Sequence, residues 1–220
     1  ANFSKISGSP IAYWVSEQVI DIFETSKKLG DYGKPVKGLD TCNNDRFVRE
    51  WNELNRFKIG FNTASNNETD YYKWYPYMKG GGNRKWVGLK SEVVEWENNG
   101  YKIKNYRNLD GSQKSRPQNL KYYFQQGITW SSISSSGFAV RILSKTIFGG
   151  GGSALFVNET DYSWFMALLN GKVLNYYLSI LNPTFNFCVG DLERIPIIQK
   201  NGTKDVLANV NACIAISKTD

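Results

Sequence analysis

A chain of 220 residues with 41% hydrophobic and 21% charged side chains has the balance of a folded domain, which argues against disorder. No run of about 18 apolar residues occurs, so a membrane-spanning helix is excluded. Cys42, Cys188 and Cys213 are too few and too widely spaced for a disulfide framework or a zinc site, and the formal charge of +7 favours a polyanionic partner.

In chain order, Ser9-Pro10 followed by Ile11, Trp14, Val15, Val19, Ile22 and Phe23 predicts a helix start with an apolar face. Residues 30–38, which include Pro35, are predicted as a loop. Asn44 is placed to cap a short helix through Trp51 that turns Phe47 and Val48 inward. A strand is predicted at 57–61 and an exposed loop at 62–70. The middle third reads as strand-rich, at 71–77, 85–89, 118–124, 127–134, 139–143 and 154–157, with Gly and Asn clusters between, while 101–109 reads as a short basic helix.

Trp164, Ala167, Leu168, Gly171, Leu174, Leu178 and Leu181 keep helical spacing. They form one long amphipathic helix or two that break at Asn170-Gly171, with Pro183 as the stop. Residues 205–216 suggest a final helix. The fold class is α+β: a single domain over 1–220, with a strand-rich centre packed against a helical scaffold at 161–216.

The charge is uneven. Residues 71–123 hold eleven Lys or Arg against Glu92, Glu95, Glu97 and Asp110, and the rest of the chain carries sixteen of each sign. The whole excess therefore belongs to one region, which also contains eleven aromatic residues. Within it, Trp74-Tyr75-Pro76-Tyr77-Met78-Lys79 leads through Gly80-Gly81-Gly82 to Asn83-Arg84-Lys85-Trp86. Cations here suit phosphates, and aromatic faces suit displaced bases. The same string equally describes a hairpin with its aromatics in the core and its lysines solvated. The candidate DNA-binding residues are Lys79, Arg84, Lys85 and Trp86 at the Gly-rich turn, then Arg107, Arg116 and Lys121. Lysines are expected on phosphates, and Arg84 and Arg116 on base edges.

The absence of histidine removes most general-base and metal designs. Gly149 to Gly152 runs into Ser153 rather than Gly-Lys-Ser/Thr, so it is expected as a flexible turn and not a phosphate loop. Asn182-Pro183-Thr184-Phe185 approaches the Asn/Asp-Pro-Pro-Tyr/Phe turn of amino-methyltransferases, but Thr184 replaces the second proline and the string follows a helix. It is expected as a helix-stop turn.

Seven strings in order carry a resemblance to a known family. They are Ser7 to Trp14; Gly38-Leu39-Asp40-Thr41 with Asn43 to Arg49; Trp74 through Trp86; Tyr122-Tyr123-Phe124 with Gly127 to Ser131; Ala167 to Asn170; Leu181 to Thr184; and Val189 to Leu192 with Ile195-Pro196. Together they resemble the region after the catalytic domain in BREX-type (PglX-like) adenine-specific DNA methyltransferases of bacterial phage defence. The last third also resembles target-recognition domains of type I and type IIG restriction-modification systems. The resemblance implies a cytoplasmic fragment of a larger enzyme that recognises double-stranded DNA. It implies no catalytic residue or cofactor in this segment, with S-adenosylmethionine held by an upstream methyltransferase domain. Other phage-defence proteins or a phage-encoded inhibitor are further expected partners. The alternatives are a carbohydrate- or protein-binding module using Trp/Tyr platforms, and a complete but unusual enzyme.

Overall fold

The computed structural model describes residues 14–198 and 203–219, and the helix start at Ser9-Pro10 lies outside them. The elements run α1 (Glu17–Thr25), β1 (Gly33–Val36), β2 (Leu39–Asp40), α2 (Asn44–Phe47), β3 (Val48–Glu50), β4 (Trp74–Met78), β5 (Glu92–Glu95), α3 (Glu97–Lys104) and β6 (Arg116–Pro117). They continue with β7 (Gly127–Trp130), β8 (Val140–Leu143), β9 (Ile147–Phe148), β10 (Ala154–Val157), α4 (Tyr162–Asn170), α5 (Lys172–Leu181), α6 (Val189–Glu193) and α7 (Thr203–Thr219). The class is α+β, as expected.

Two four-stranded sheets form the frame. One is antiparallel in the order β1-β10-β7-β8; the other has the order β3-β5-β4-β9, with β4 and β9 parallel. The short pair β2-β6 forms a separate ladder, tied to the second sheet where Leu39 bridges to Gly149. The chain leaves the first sheet after β8, adds β9 to the second, and returns as β10. That return is the glycine run. A Cβ at Gly150 would stand 2.1 Å from Asp40 Oδ1, and one at Gly152 would stand 2.5 Å from the Met78 carbonyl. Gly149 N–H donates to Met78 O (2.9 Å), and Thr129 and Ser132 hydroxyls hold the Gly152 and Gly150 carbonyls. The segment expected as a flexible turn is therefore a packed crossing, because backbone here meets backbone and only glycine fits.

Each sheet has its own core. Ile128, Trp130, Val140 and Leu155 pack with Phe165, Met166, Leu169, Leu174 and Leu178 of α4 and α5 and with Ile20 and Phe23 of α1. Tyr75, Tyr77, Met78, Val94 and Trp96 pack with Phe47, Tyr123, Phe124, Leu143 and Phe148. Edge-to-face pairs run through the second core: Tyr75–Phe124 at 5.7 Å, Trp96–Tyr123 at 5.2 Å and Tyr123–Phe148 at 5.5 Å. Most of the aromatic content is thus spent on packing.

The helical third follows the sequence closely. α4 and α5 break at Gly171, the second of the two expected forms, and α5 ends at Asn182 before Pro183. The strand predictions at 154–157, 139–143, 127–134 and 71–77 locate β10, β8, β7 and β4, the last three shifted or shortened. Others fail for identifiable reasons. Residues 85–89 do not pair with β4, because β5 and β9 take its two edges. Residues 118–124 form a 3₁₀ turn, Leu120–Tyr122, between left-handed Asn119 and Phe124. At 57–61 a 3₁₀ turn, Arg56–Lys58, leaves Phe57 exposed, and Ile59 alone bridges to Trp74. The predicted loop at 30–38 contains edge strand β1, where Pro35 is tolerated. Asn43, not Asn44, caps α2 by accepting Arg46 N–H (3.1 Å), and Val48 already belongs to β3. The basic helix expected at 101–109 ends at Lys104, and it is preceded by a left-handed turn at Asn98, Asn99 and Gly100.

α4 and α5 also finish the free edge of β8. Asn170, buried at the end of α4, accepts Val140 N–H at 3.0 Å and donates to Val140 O at 3.1 Å. Asn175 accepts Phe138 N–H at 3.0 Å. Two carboxamides thus stand in for a neighbouring strand. Asn170→Ala should orphan the buried Val140 N–H and cost about 1–3 kcal/mol, read from the urea unfolding midpoint. An unchanged midpoint contradicts this role.

Candidate nucleic-acid interface

The Gly-rich turn that follows β4 is held at both ends and supported from below. Gly80, Gly81 and Gly82 have φ of 152°, 150° and 63°, conformations side chains resist. At the exit, Trp86 N–H donates to Val140 O and Trp86 O accepts Ile142 N–H, both at 2.9 Å. Lys85 Nζ donates to Asn170 O (2.9 Å), a carbonyl at the electronegative end of α4. The Trp86 ring is half-buried against the helical core.

Beneath the turn lies Arg141, fully buried on β8. Its Nη1 donates to Gly82 O (3.2 Å) and Arg84 O (3.3 Å), and its Nη2 donates to Ser131 Oγ (2.7 Å). Ser131 Oγ in turn donates to Gly82 O at 2.8 Å. The Nε–H has no hydrogen-bond partner. Burial pulls the Arg141 pKa down to about 10, which still leaves it cationic at neutral pH. All its partners are neutral oxygens, so its charge is uncompensated at short range and adds to the potential of the exposed turn carrying Asn83 and Arg84. In sequence Arg141 gave little sign of this. Alternation in Val-Arg-Ile-Leu points an Arg to solvent, and only the three-dimensional crossing brings the turn over it.

Lys79 and Arg116 line one open cleft of about 620 Å³ together with the carboxylates Asp40 and Asp45 and with Thr41, Asn43 and Tyr77, so its cations and carboxylates are equal in number. Lys79 Nζ also lies 3.3 Å from Glu92 Oε1. Arg116, exposed on β6, faces a second cleft with Lys104, Gln113 and Ser115. Arg107 is exposed at the base of a small hairpin, bridged to Gln113. Lys121 Nζ sits 5.0 Å from the Tyr122 ring, on the 3₁₀ turn beyond Leu120. The structure therefore joins Lys79 with Arg116, and Arg84 with Lys85, and gives Lys85 and Trp86 internal partners.

Trp74, Tyr75 and Tyr77 are buried, which leaves no free ring on β4 for stacking. Burial pushes the Tyr77 hydroxyl well above its ordinary range, and it donates to Leu39 O at 2.7 Å. A surface cluster that sequence reasoning missed surrounds Tyr106. Arg46 Cζ lies 5.2 Å and Lys114 Nζ 5.1 Å from its ring centre, and Phe47 meets it edge-on at 5.3 Å. Its hydroxyl accepts Asn43 Nδ2–H (3.1 Å), and this bond, with the nearby Lys114 ammonium, lowers its pKa.

Two sequence features bear on methyl-donor chemistry. The Gly149–Gly152 crossing is filled by Asp40, Tyr77 and the backbone of β4, so it does not fit an adenosyl group. In the Asn182 turn, Oδ1 accepts Thr184 N–H (3.2 Å) and Thr184 Oγ1–H (2.7 Å), while Nδ2 donates to Asn186 O (3.0 Å) and Asp191 Oδ2 (2.8 Å). That carboxamide is wholly engaged in ending α5. Among the described residues, no cluster of three metal-ligating side chains and no helix able to cross a membrane occurs.

No protein-family profile matches the chain. Over its whole length it is nevertheless a segment of the adenine-specific methyltransferase family anticipated from its motifs. It is 37% identical over 225 residues to the adenine-specific methyltransferase BrxX of Escherichia coli O9:H4 (strain HS). It is 36% identical over 227 residues to the adenine-specific methyltransferase PglX of Lacticaseibacillus casei (strain Zhang). Each match covers all of this chain but only 17% and 18% of those proteins, so the chain spans less than a fifth of their length.

Arg141→Met is close in volume but removes the two hydrogen bonds to the turn's carbonyls and the one to Ser131, which itself holds Gly82 O. Trypsin cleavage after Arg84 and Lys85 should accelerate by about tenfold or more, since local opening sets the rate of nicking. Cleavage at the wild-type rate contradicts the support assigned to Arg141.

Proposed function

We propose that this segment recognises double-stranded DNA on behalf of an adenine-specific methyltransferase and leaves methyl transfer to another part of that enzyme. The observation that carries the reading is the Gly-rich turn with exposed Arg84, raised on the buried cation Arg141, beside a cleft in which Lys79 and Arg116 meet opposite Asp40 and Asp45. Lys79 suits a phosphate. Arg116 and Arg84, both exposed, suit a phosphate or a guanine edge. Arg107 and Lys121 extend the phosphate-binding surface, while Lys85 and Trp86 act on DNA through the turn that they fix. The parent enzyme would use S-adenosylmethionine in its catalytic domain to methylate adenine N6 in cytoplasmic host DNA, and so mark self against phage. The segment would work as the target-recognition domains of restriction-modification systems do. Support for a non-catalytic role comes from the engaged Asn182 carboxamide and the filled glycine crossing.

A second reading rests on a different surface. Phe57 is 89% and Tyr71 83% exposed, and with Tyr72, Phe61 and Arg56 they wall an open cleft of about 690 Å³. Exposed rings of this kind fit a protein partner, such as another phage-defence protein or a phage-encoded inhibitor, or a sugar.

The test is the salt dependence of duplex binding by the whole methyltransferase. Each phosphate contact adds about 0.9 to the slope of log affinity against log salt, so Lys79→Ala with Arg116→Ala should flatten it by about one if Arg116 reads a base edge and by about two if it holds a phosphate. Arg84→Ala should relax discrimination at one base pair. Unchanged slopes in these variants contradict DNA recognition by this face. Tight binding of S-adenosylmethionine by the isolated chain would overturn the non-catalytic role.

A further inference from the structure

A base inside a duplex is out of reach of an active site, so an enzyme acting on it must swing it out and pay the cost of unstacking. Apolar side chains pushed between base steps lower that cost by replacing the lost stacking contacts. Residues 106–114 have the form of such a wedge. Lys114 N–H donates to Tyr106 O, Asn108 N–H to Ser112 O, and Gly111 N–H to Asn108 O, at 2.9, 2.9 and 3.0 Å, which makes a tight hairpin closed by a turn with left-handed Gly111. Leu109 occupies the tip and is 110% exposed, as open as in an extended chain.

The tip is stiff. Asp110 Oδ1 accepts both Ser112 N–H (2.9 Å) and Ser112 Oγ–H (2.6 Å), and Asn108 Nδ2 donates to Ser112 Oγ (3.0 Å). The one carboxylate of the hairpin is therefore folded back into the turn. The root is anchored by Tyr106 against Phe47 and by buried Ser115, whose hydroxyl donates to Ile103 O. Cations flank it: Arg107 and Lys114 on the two arms, Lys104 and Arg116 at the cleft below. Arg116 also lines the Lys79 cleft, so the hairpin rises from the edge of the proposed DNA-binding face. No part of the described fold needs a leucine at this position.

We infer that Leu109 is a wedge that enters the base stack of duplex DNA beside the adenine to be extruded, with the cations at its root holding the flanking phosphates. This rests on the DNA-recognition reading above, and it names the residue that acts on the stack. The test uses the whole methyltransferase and a duplex with the sequence that it methylates, carrying 2-aminopurine at the target adenine. Wild-type enzyme should raise the 2-aminopurine fluorescence on binding. In Leu109→Ala, duplex affinity should fall no more than about threefold, while the fluorescence rise is lost and the methylation rate drops about tenfold or more. An abasic nucleotide opposite the target opens the stack beforehand and should restore the Leu109→Ala rate to within about twofold of wild type. Leu109→Phe should retain both signals. Normal extrusion by Leu109→Ala overturns the wedge, and so does a defect that the abasic duplex does not rescue, which would mark a role in folding or domain docking. The two failures are separable: if the Lys79 and Arg116 variants lose salt-dependent affinity while Leu109→Ala extrudes the base normally, only the wedge falls.

Discussion

The outer edge of β8 is the constraint on which the rest depends. A strand at the end of a sheet presents unpaired N–H and C=O groups that must find partners when buried. Here Asn170, Asn175 and Trp86 supply them: the two asparagines come from the helical scaffold, and Trp86 ends the Gly-rich turn. One edge therefore fixes the helices to the sheet and fixes the turn to both. Lys85 closes the loop of dependence by reaching from the turn to the Asn170 carbonyl. Arg141, on the same strand, then holds the turn's carbonyls from below.

Cations carried by such a frame are placed rather than merely present. Side chains on a floppy loop would lose conformational entropy on gripping a phosphate, whereas a turn already fixed at both ends loses less. The glycine crossing serves the same end. It brings Asp40 and Tyr77 against the return path to β10, and so shapes the cleft into which Lys79 and Arg116 project.

How much of this was legible in the sequence varied with the kind of signal. The helical third was readable because Leu168, Leu174, Leu178 and Leu181 repeat at helical spacing, and Gly171 and Pro183 mark the breaks. β10 was readable as a short apolar run. Of the second sheet only β4 was, because pairing is a tertiary fact: Lys85-Trp86-Val87 looks like a strand but finds both edges of β4 taken, while β9 needs only two residues, Ile147 and Phe148. The aromatic-basic string was legible as a feature but not as a function. Its rings turned out to be core, and its exposed cations are what remain for a partner. Lys79, Arg84 and Arg116 could be named as candidates from charge and loop context, whereas Arg141 and the Tyr106 cluster depend on contacts between segments far apart in the chain.

Hydrogen exchange of the whole methyltransferase, free and bound to its target duplex, tests the central claim most directly. Backbone amides at 80–84 and 106–116 should gain protection on binding, with 56–61 and 71–72 unchanged. Protection confined to the aromatic cleft at 56–61 and 71–72, with the Gly-rich turn and the hairpin exchanging as in the free enzyme, would contradict it.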